Sequence, residues 1–263
     1  MSATVQCGDD PVGDAIAQGA PAALAAKAEQ PWLRMLVLAV LAGAFIAFGS
    51  VIFLVAQANM EDAGLVRLVS GAAFSVGLVM VMIVGAELFT GNTMMVLPTL
   101  TGDLAGGRLA GAWATVWVGN LIGSVAIALL FSAAGGLSDG VGEAAASVSD
   151  GKLAKTPVAV FCSGILANML VCLAVWMSMS ARTISAKILA IVGPIMVFVA
   201  AGLEHSVANM SILPLGGLAG TGTEVPLAGV LVNLAASTAG NIVGGASLAV
   251  AIAYGHDVLR DMR

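Results

Sequence analysis

Charge is what this sequence has least of. Of 263 residues, only 10 are Lys or Arg and 15 are Asp or Glu, 10% in all, against about a quarter in an ordinary soluble domain. So few charges cannot cover a water-facing surface, and hydrophobic residues make up 59% of the chain. The length suits one domain, and that domain sits in lipid. Its 33 glycines and 13 methionines suit packed transmembrane helices, where small residues let backbones approach. The formal charge is −5. The acids gather in the tail and loops, at Asp9, Asp10, Asp14, Glu61, Asp62, Asp139, Glu143 and Asp150, and no nucleic-acid surface is read from this pattern.

Cysteine is scarce too. Cys7 lies in the tail, and Cys162 and Cys172 lie on one apolar stretch, about 15 Å apart if that stretch is helical. They cannot bridge, and no disulfide framework is implied. The first thirty residues lack the basic start and apolar middle of a cleavable signal peptide. They read as a cytoplasmic tail with a short amphipathic helix around Ala15–Ala28.

What the chain has in quantity is long apolar runs. Six transmembrane spans are predicted. They cover Trp32–Gln57, a stretch from Leu68 past Glu87 and Asn92 to Pro98, Ala110–Ala134, Pro157–Met179, a stretch from Ile188 past Glu204, His205 and Asn209 to Pro214, and Leu227–Tyr254. A polar loop, Gly135–Lys155, separates spans three and four. Six spans place both termini on one side. Lys27, Arg34, Arg108, Arg182, Lys187, Arg260 and Arg263 share that side, against Arg67, Lys152 and Lys155 on the other. Cationic loops face the cytoplasm, so the termini are expected there.

The chain repeats itself. Gly85-Ala-Glu87-Leu-Phe-Thr-Gly-Asn92 and Gly202-Leu-Glu204-His-Ser-Val-Ala-Asn209 share Gly, Glu and Asn at the same spacing, and each runs on to a proline, Pro98 or Pro214. Gly119-Asn120-Leu-Ile-Gly123 is matched by Gly240-Asn241-Ile-Val-Gly244 at a similar offset. Each unit holds three spans, and an odd number turns the second copy upside down, the inverted-repeat plan of channels and transporters. Glu87 and Glu204 at membrane depth are too costly to face lipid. Irregular backbone there survives only inside protein or along a wet cavity. Thr90 and Ser206 are expected to cap the half-helices that follow, whose N-termini favour an anion. The plainer alternative is that the glutamates and asparagines only cap backbone in a packed bundle.

Only two histidines are present. His256 follows the last span and reads as a solvated tail residue. His205 lies inside the second break, where a titratable imidazole can exchange protons near neutral pH. A haem site would want a second intramembrane histidine, and none exists. Lys152 and Lys155 close the polar loop, as interfacial snorkelling residues or as an anion-attracting vestibule. No metal site, cofactor or catalytic residue is read from the sequence.

The strings Gly85-Ala-Glu-Leu-Phe-Thr90, Gly164-Ile-Leu-Ala-Asn168 running into Cys172-Leu-Ala-Val-Trp-Met177, and Gly202-Leu-Glu-His205-Ser-Val-Ala-Asn-Met210 resemble the formate/nitrite transporter family, over about Trp32 to Tyr254. The resemblance implies an all-α membrane protein with an aquaporin-like fold of two inverted three-helix repeats, the second and fifth helices broken. It implies a homopentamer in the inner (cytoplasmic) membrane, each protomer with its own pore for small monovalent anions such as formate, nitrite or hydrosulfide, and no enzyme activity. It makes His205 the central pore histidine, Thr90 its partner, and Lys152 the vestibule lysine. Lys155 matches no fixed position. Phe74 and Phe198 become the periplasmic constriction, and Leu78, Phe89 and Val171 the cytoplasmic one. Asn168, Glu204 and Asn209 support the pore. The expected division is an N-terminal segment 1–30, a channel domain 31–255 with repeats at 32–134 and 157–254, and a tail 256–263. Proton-linked passage through His205 is the expected mechanism, with an aquaporin-type neutral-solute channel as the alternative. Such a channel would want Asn-Pro-Ala at both breaks, where this sequence has Gly-Asn-Thr and Ala-Asn-Met.

Overall fold

The computed structural model describes residues 13–58, 60, 62–222 and 224–259. Cys7, Asp9, Asp10, Glu61, Arg260 and Arg263 lie outside the described residues. No strand occurs among the described residues. Among the described residues, five helices are long and apolar enough to cross a membrane: α2 (Trp32–Ala58), α3 (Ala63–Val84), α6 (Gly106–Ala133), α8 (Pro157–Ser180) and α11 (Leu227–Gly255). Two shorter apolar helices are α9 (Ile184–Ala200) and α10 (Ser206–Leu218). These ends agree with the predicted spans to within a few residues.

The second stretch is interrupted after Val84. α3 ends at Val84, and the chain resumes as α4 (Phe89–Asn92), a 3-10 turn (Thr93–Met95) and α5 (Val96–Leu100). The fifth stretch breaks in the same way between α9 and α10. Both first halves end on a left-handed glycine, Gly85 at φ 76° and Gly202 at φ 65°. There the amide one residue later reaches back five positions: Ala86 N–H to Val81 O at 2.9 Å, and Leu203 N–H to Phe198 O at 3.2 Å. This is a Schellman end, which a Cβ would strain.

Helices α2 and α6 pack along one another, as do α8 and α11. The G-N-x-x-G motifs set how closely. A Cβ added at Gly123 would collide with the Val40 carbonyl oxygen, and one at Gly244 with that of Ile165. Neither seam closes around a larger side chain.

Two segments go beyond the predicted outline. The Gly135–Lys155 segment, expected as a loop, contains α7 (Val141–Leu153). Its Gly, Ser and Asp content hides a helical stripe: Val141, Ala145 and Ser149 are buried. Ser149 Oγ donates to Ile212 O at 3.0 Å, holding α7 against α10. The N-terminal helix, α1 (Gly13–Glu29), forms as expected and buries Ile16, Ala20, Leu24 and Ala28. Arg108 fixes its end, donating from Nε to Ala28 O at 2.8 Å and from Nη2 to Gln30 O at 2.7 Å while lying over the Trp32 ring.

Candidate functional site

The two breaks are held by one device used twice. Phe89 N–H donates to Asn120 Oδ1 at 2.8 Å, and Asn120 Nδ2 donates to Ala39 O and Glu87 O. Ser206 N–H donates to Asn241 Oδ1 at 2.9 Å, and Asn241 Nδ2 donates to Gly164 O and Glu204 O. A single amide side chain thus satisfies the first amide of a half-helix and one carbonyl in irregular backbone, and ties both to an adjacent helix, with no water needed at that depth. The repeat contained this signal in the shared Asn of G-N-x-x-G, but the sequence assigned it no role.

The paired Glu and Asn also serve one another. Asn92 Nδ2 donates to Glu87 Oε2 at 2.8 Å, and Asn209 Nδ2 to Glu204 Oε2 at 2.7 Å. Each carboxylate then meets lysine. Lys27 and Gln30, at the end of α1 and just after it, reach Glu87 at 3.2 and 2.9 Å. Lys152 and Lys155 reach Glu204 at 3.1 and 2.6 Å. Lys155 also donates to Gly202 O at 2.9 Å, so it is bound into the second break rather than snorkelling. The sequence assigns Lys27 no role, because nothing local links it to a glutamate sixty residues on.

The breaks converge on His205 and Thr90, both buried, with His205 Nε2 2.9 Å from Thr90 Oγ1. This corrects the expected caps. His205 itself caps α10, its Nδ1 accepting from Ala208 N–H at 3.1 Å. Ser206 Oγ has no hydrogen-bond partner among the described residues, and no side chain caps α4. Thr90 turns its hydroxyl to His205, while its carbonyl accepts from Asn168 Nδ2 and Thr93 Oγ1. Asn168 Nδ2 also donates to Asn241 O, tying the first break to α11.

Apolar side chains close over this pair. Phe74 and Phe198 meet edge to face with centroids 5.6 Å apart, and Phe198 lies 5.7 Å from the His205 ring. Phe74, Phe198, Leu78, Leu88, Val171 and His205 enclose a space of only about 10 Å³, room for one water at most. Leu88 lines it. Phe89 does not, and packs against Trp113 instead. Successive residues at an irregular turn point apart, which the sequence leaves open. A cavity of about 550 Å³ on the Lys152 side reaches Phe74, Phe198 and His205. Another of about 180 Å³ lies on the Lys27 side and reaches Leu88 and Asn92.

The sequence model of the formate/nitrite transporter family matches residues 14–255. The chain belongs to the formate/nitrite transporter family. It is 37% identical over 209 residues to the formate channel FocA of Escherichia coli K12, covering 74% of this chain and 73% of that protein. A solved structure described as an FNT family ion channel superposes with a TM-score of 0.83 at 32% identity, covering 92% of this chain and 98% of the other. A second, a pentameric formate channel with formate bound, gives 0.77 at 31% identity, covering 87% and 98%. As a member of the formate/nitrite transporter family, the chain is a multi-pass membrane transport protein and not an enzyme. The channel fold of its relatives agrees with the all-helical, membrane-embedded class read from the sequence.

Proposed function

We propose that the chain passes small monovalent anions, formate, nitrite or hydrosulfide, and that passage is linked to protons at the His205–Thr90 pair. The observation that carries this is the 2.9 Å contact between His205 Nε2 and Thr90 Oγ1, set between two cavities and sealed by apolar side chains. Because Nδ1 accepts from Ala208 N–H, the neutral ring carries its hydrogen on Nε2 and donates it to Thr90. The Thr90 hydroxyl hydrogen is then turned toward a passing anion. Lys152 draws that anion inward from its cavity. A bare anion crosses Phe74–Phe198 and Leu78–Leu88–Val171 poorly, because desolvating a charge is expensive. A proton gained at the centre turns it into a neutral acid that crosses. Charging His205 would place a proton on Nδ1, where the Ala208 amide already points. The proton therefore comes from hydronium in the cavity water, which is left as water, while His205 and Thr90 hydrogen-bond the anion.

The same proposal takes residues 32–134 and 157–254 as inverted repeats, giving six spans with the second and fifth broken. Matched bonds at Asn120 and Asn241 support it. The cation bias places both termini, segment 1–30 and tail 256–263, in the cytoplasm of a cell whose inner membrane holds the protein. The pentameric state of the solved formate channel supports a homopentamer here, one pore per protomer. The test is His205→Phe in proteoliposomes, with formate uptake and proton flux recorded together. Proton-coupled uptake is expected to disappear, and uptake at the wild-type rate with the wild-type proton flux would sink the proposal.

A further inference from the structure

We infer that the cavity on the Lys152 side retains small divalent oxyanions, of which sulfate is the simplest, and that Lys155 makes it do so. The inference rests on the anion-carrying function proposed above and names a class of anion that the same pore excludes.

The cause is a count of charges at one buried carboxylate. The Glu204 side chain is 0% exposed. Its Oε2 accepts from Lys152 Nζ at 3.1 Å and Asn209 Nδ2 at 2.7 Å, and its Oε1 from Lys155 Nζ at 2.6 Å. One carboxylate offsets one ammonium. With Lys152 alone the pair would be neutral and would cast little field into the cavity. Lys155 raises the cluster to one net positive charge. Arg67 lines the same cavity and brings the excess to two, and none of the described lining residues is acidic. The walls include the rings of Phe53, Phe74 and Phe198, apolar surface of low dielectric constant that focuses the field.

A cavity of about 550 Å³ holds a small hydrated oxyanion. Two excess charges attract a dianion twice as strongly as a monoanion at the same place. The dianion cannot go further. Crossing the apolar seal at Phe74 and Phe198 would mean desolvating two charges or gaining two protons, where formate needs one. Sulfate therefore sits above the constriction and competes with the permeant anion.

The experiment is formate flux in proteoliposomes with sulfate on both faces, the ionic strength held constant with gluconate. Sulfate is expected to inhibit the wild type competitively. Lys155→Gln removes one charge, which acts once on formate and twice on sulfate. If the formate KM rises by a factor of about three, the sulfate inhibition constant rises by about its square, near tenfold. Arg67→Gln, at an exposed position, follows the same square relation with a smaller factor. Lys155→Arg restores both constants. A folding fault in Lys155→Gln would lower the maximal rate without producing the square relation, and Arg67→Gln, away from the break, would still report it. A wild type indifferent to sulfate, or equal shifts for formate and sulfate in both variants, overturns the inference while leaving formate transport standing. A wild type that carries none of formate, nitrite and hydrosulfide overturns the proposed function and this inference together.

Discussion

At the scale of single residues, His205 does two jobs with two nitrogens. Nδ1 caps α10 by accepting from Ala208 N–H, and Nε2 meets Thr90. His205→Asn separates them, because asparagine is a good N-cap but does not extend to Thr90. We predict that His205→Asn keeps near-wild-type thermal stability in detergent yet loses formate flux. A loss of stability as large as that of His205→Phe would contradict the division. Glu87 and Glu204 occupy equivalent places with unequal partners. Lys27 has a side chain 41% exposed, and such a pair contributes under about 1 kcal/mol. Glu204 is sealed between two lysines, and removing one member of a buried cluster costs about 3–5 kcal/mol. Glu204→Gln should therefore lower the unfolding midpoint far more than Glu87→Gln. Equal losses would show that Lys152 and Lys155 are better hydrated than their burial indicates.

Among elements, the breaks depend on partners distant in sequence. Asn120 and Asn241 each join an adjacent helix to irregular backbone through three hydrogen bonds. Leaving such buried groups unsatisfied costs about 1–3 kcal/mol each. Asn120→Ala and Asn241→Ala are predicted to destabilise the protein to a similar degree, at least about 2 kcal/mol, measured by thermal unfolding. Two very different losses would argue against equivalent breaks. Gly123→Val and Gly244→Val act on the seams instead, forcing α2 from α6 and α8 from α11. Overpacking of this kind costs about 1–3 kcal/mol or more. Both variants should yield little folded protein by size-exclusion chromatography, and a normal yield from either would refute the close-packed seam. The repeat was legible in the sequence because Gly-x-Glu and G-N-x-x-G recur at fixed spacing. The helix α7 was not legible, because its buried stripe is made of small residues whose composition reads as loop.

For the whole molecule, the proposed topology places the Lys152 cavity outside and α1 inside. A cysteine at Gln57, on the wall of the Lys152 cavity, is expected to react with an impermeant thiol reagent on intact cells. One at His256, beside Asp14 and Gln18 of α1, should react only after permeabilisation. The reverse pattern would invert the topology. A homopentamer predicts a native mass five times that of the protomer in mild detergent.

The sequence by itself determined the membrane class, the apolar helical stretches and the family, and it singled out both glycine-marked stretches and His205. Each of these is local: apolar run length, a left-handed glycine and a short motif are all written within a few consecutive residues. Only the tertiary structure decided what the breaks are made of. It moved the cap of α10 from Ser206 to His205, lined the small apolar space with Leu88 where Phe89 was expected, and gave Glu87 to Lys27 and Glu204 to both Lys152 and Lys155. Side-chain direction at an irregular turn, and charge pairing between distant helices, follow from how the helices pack. No spacing along the chain encodes that packing.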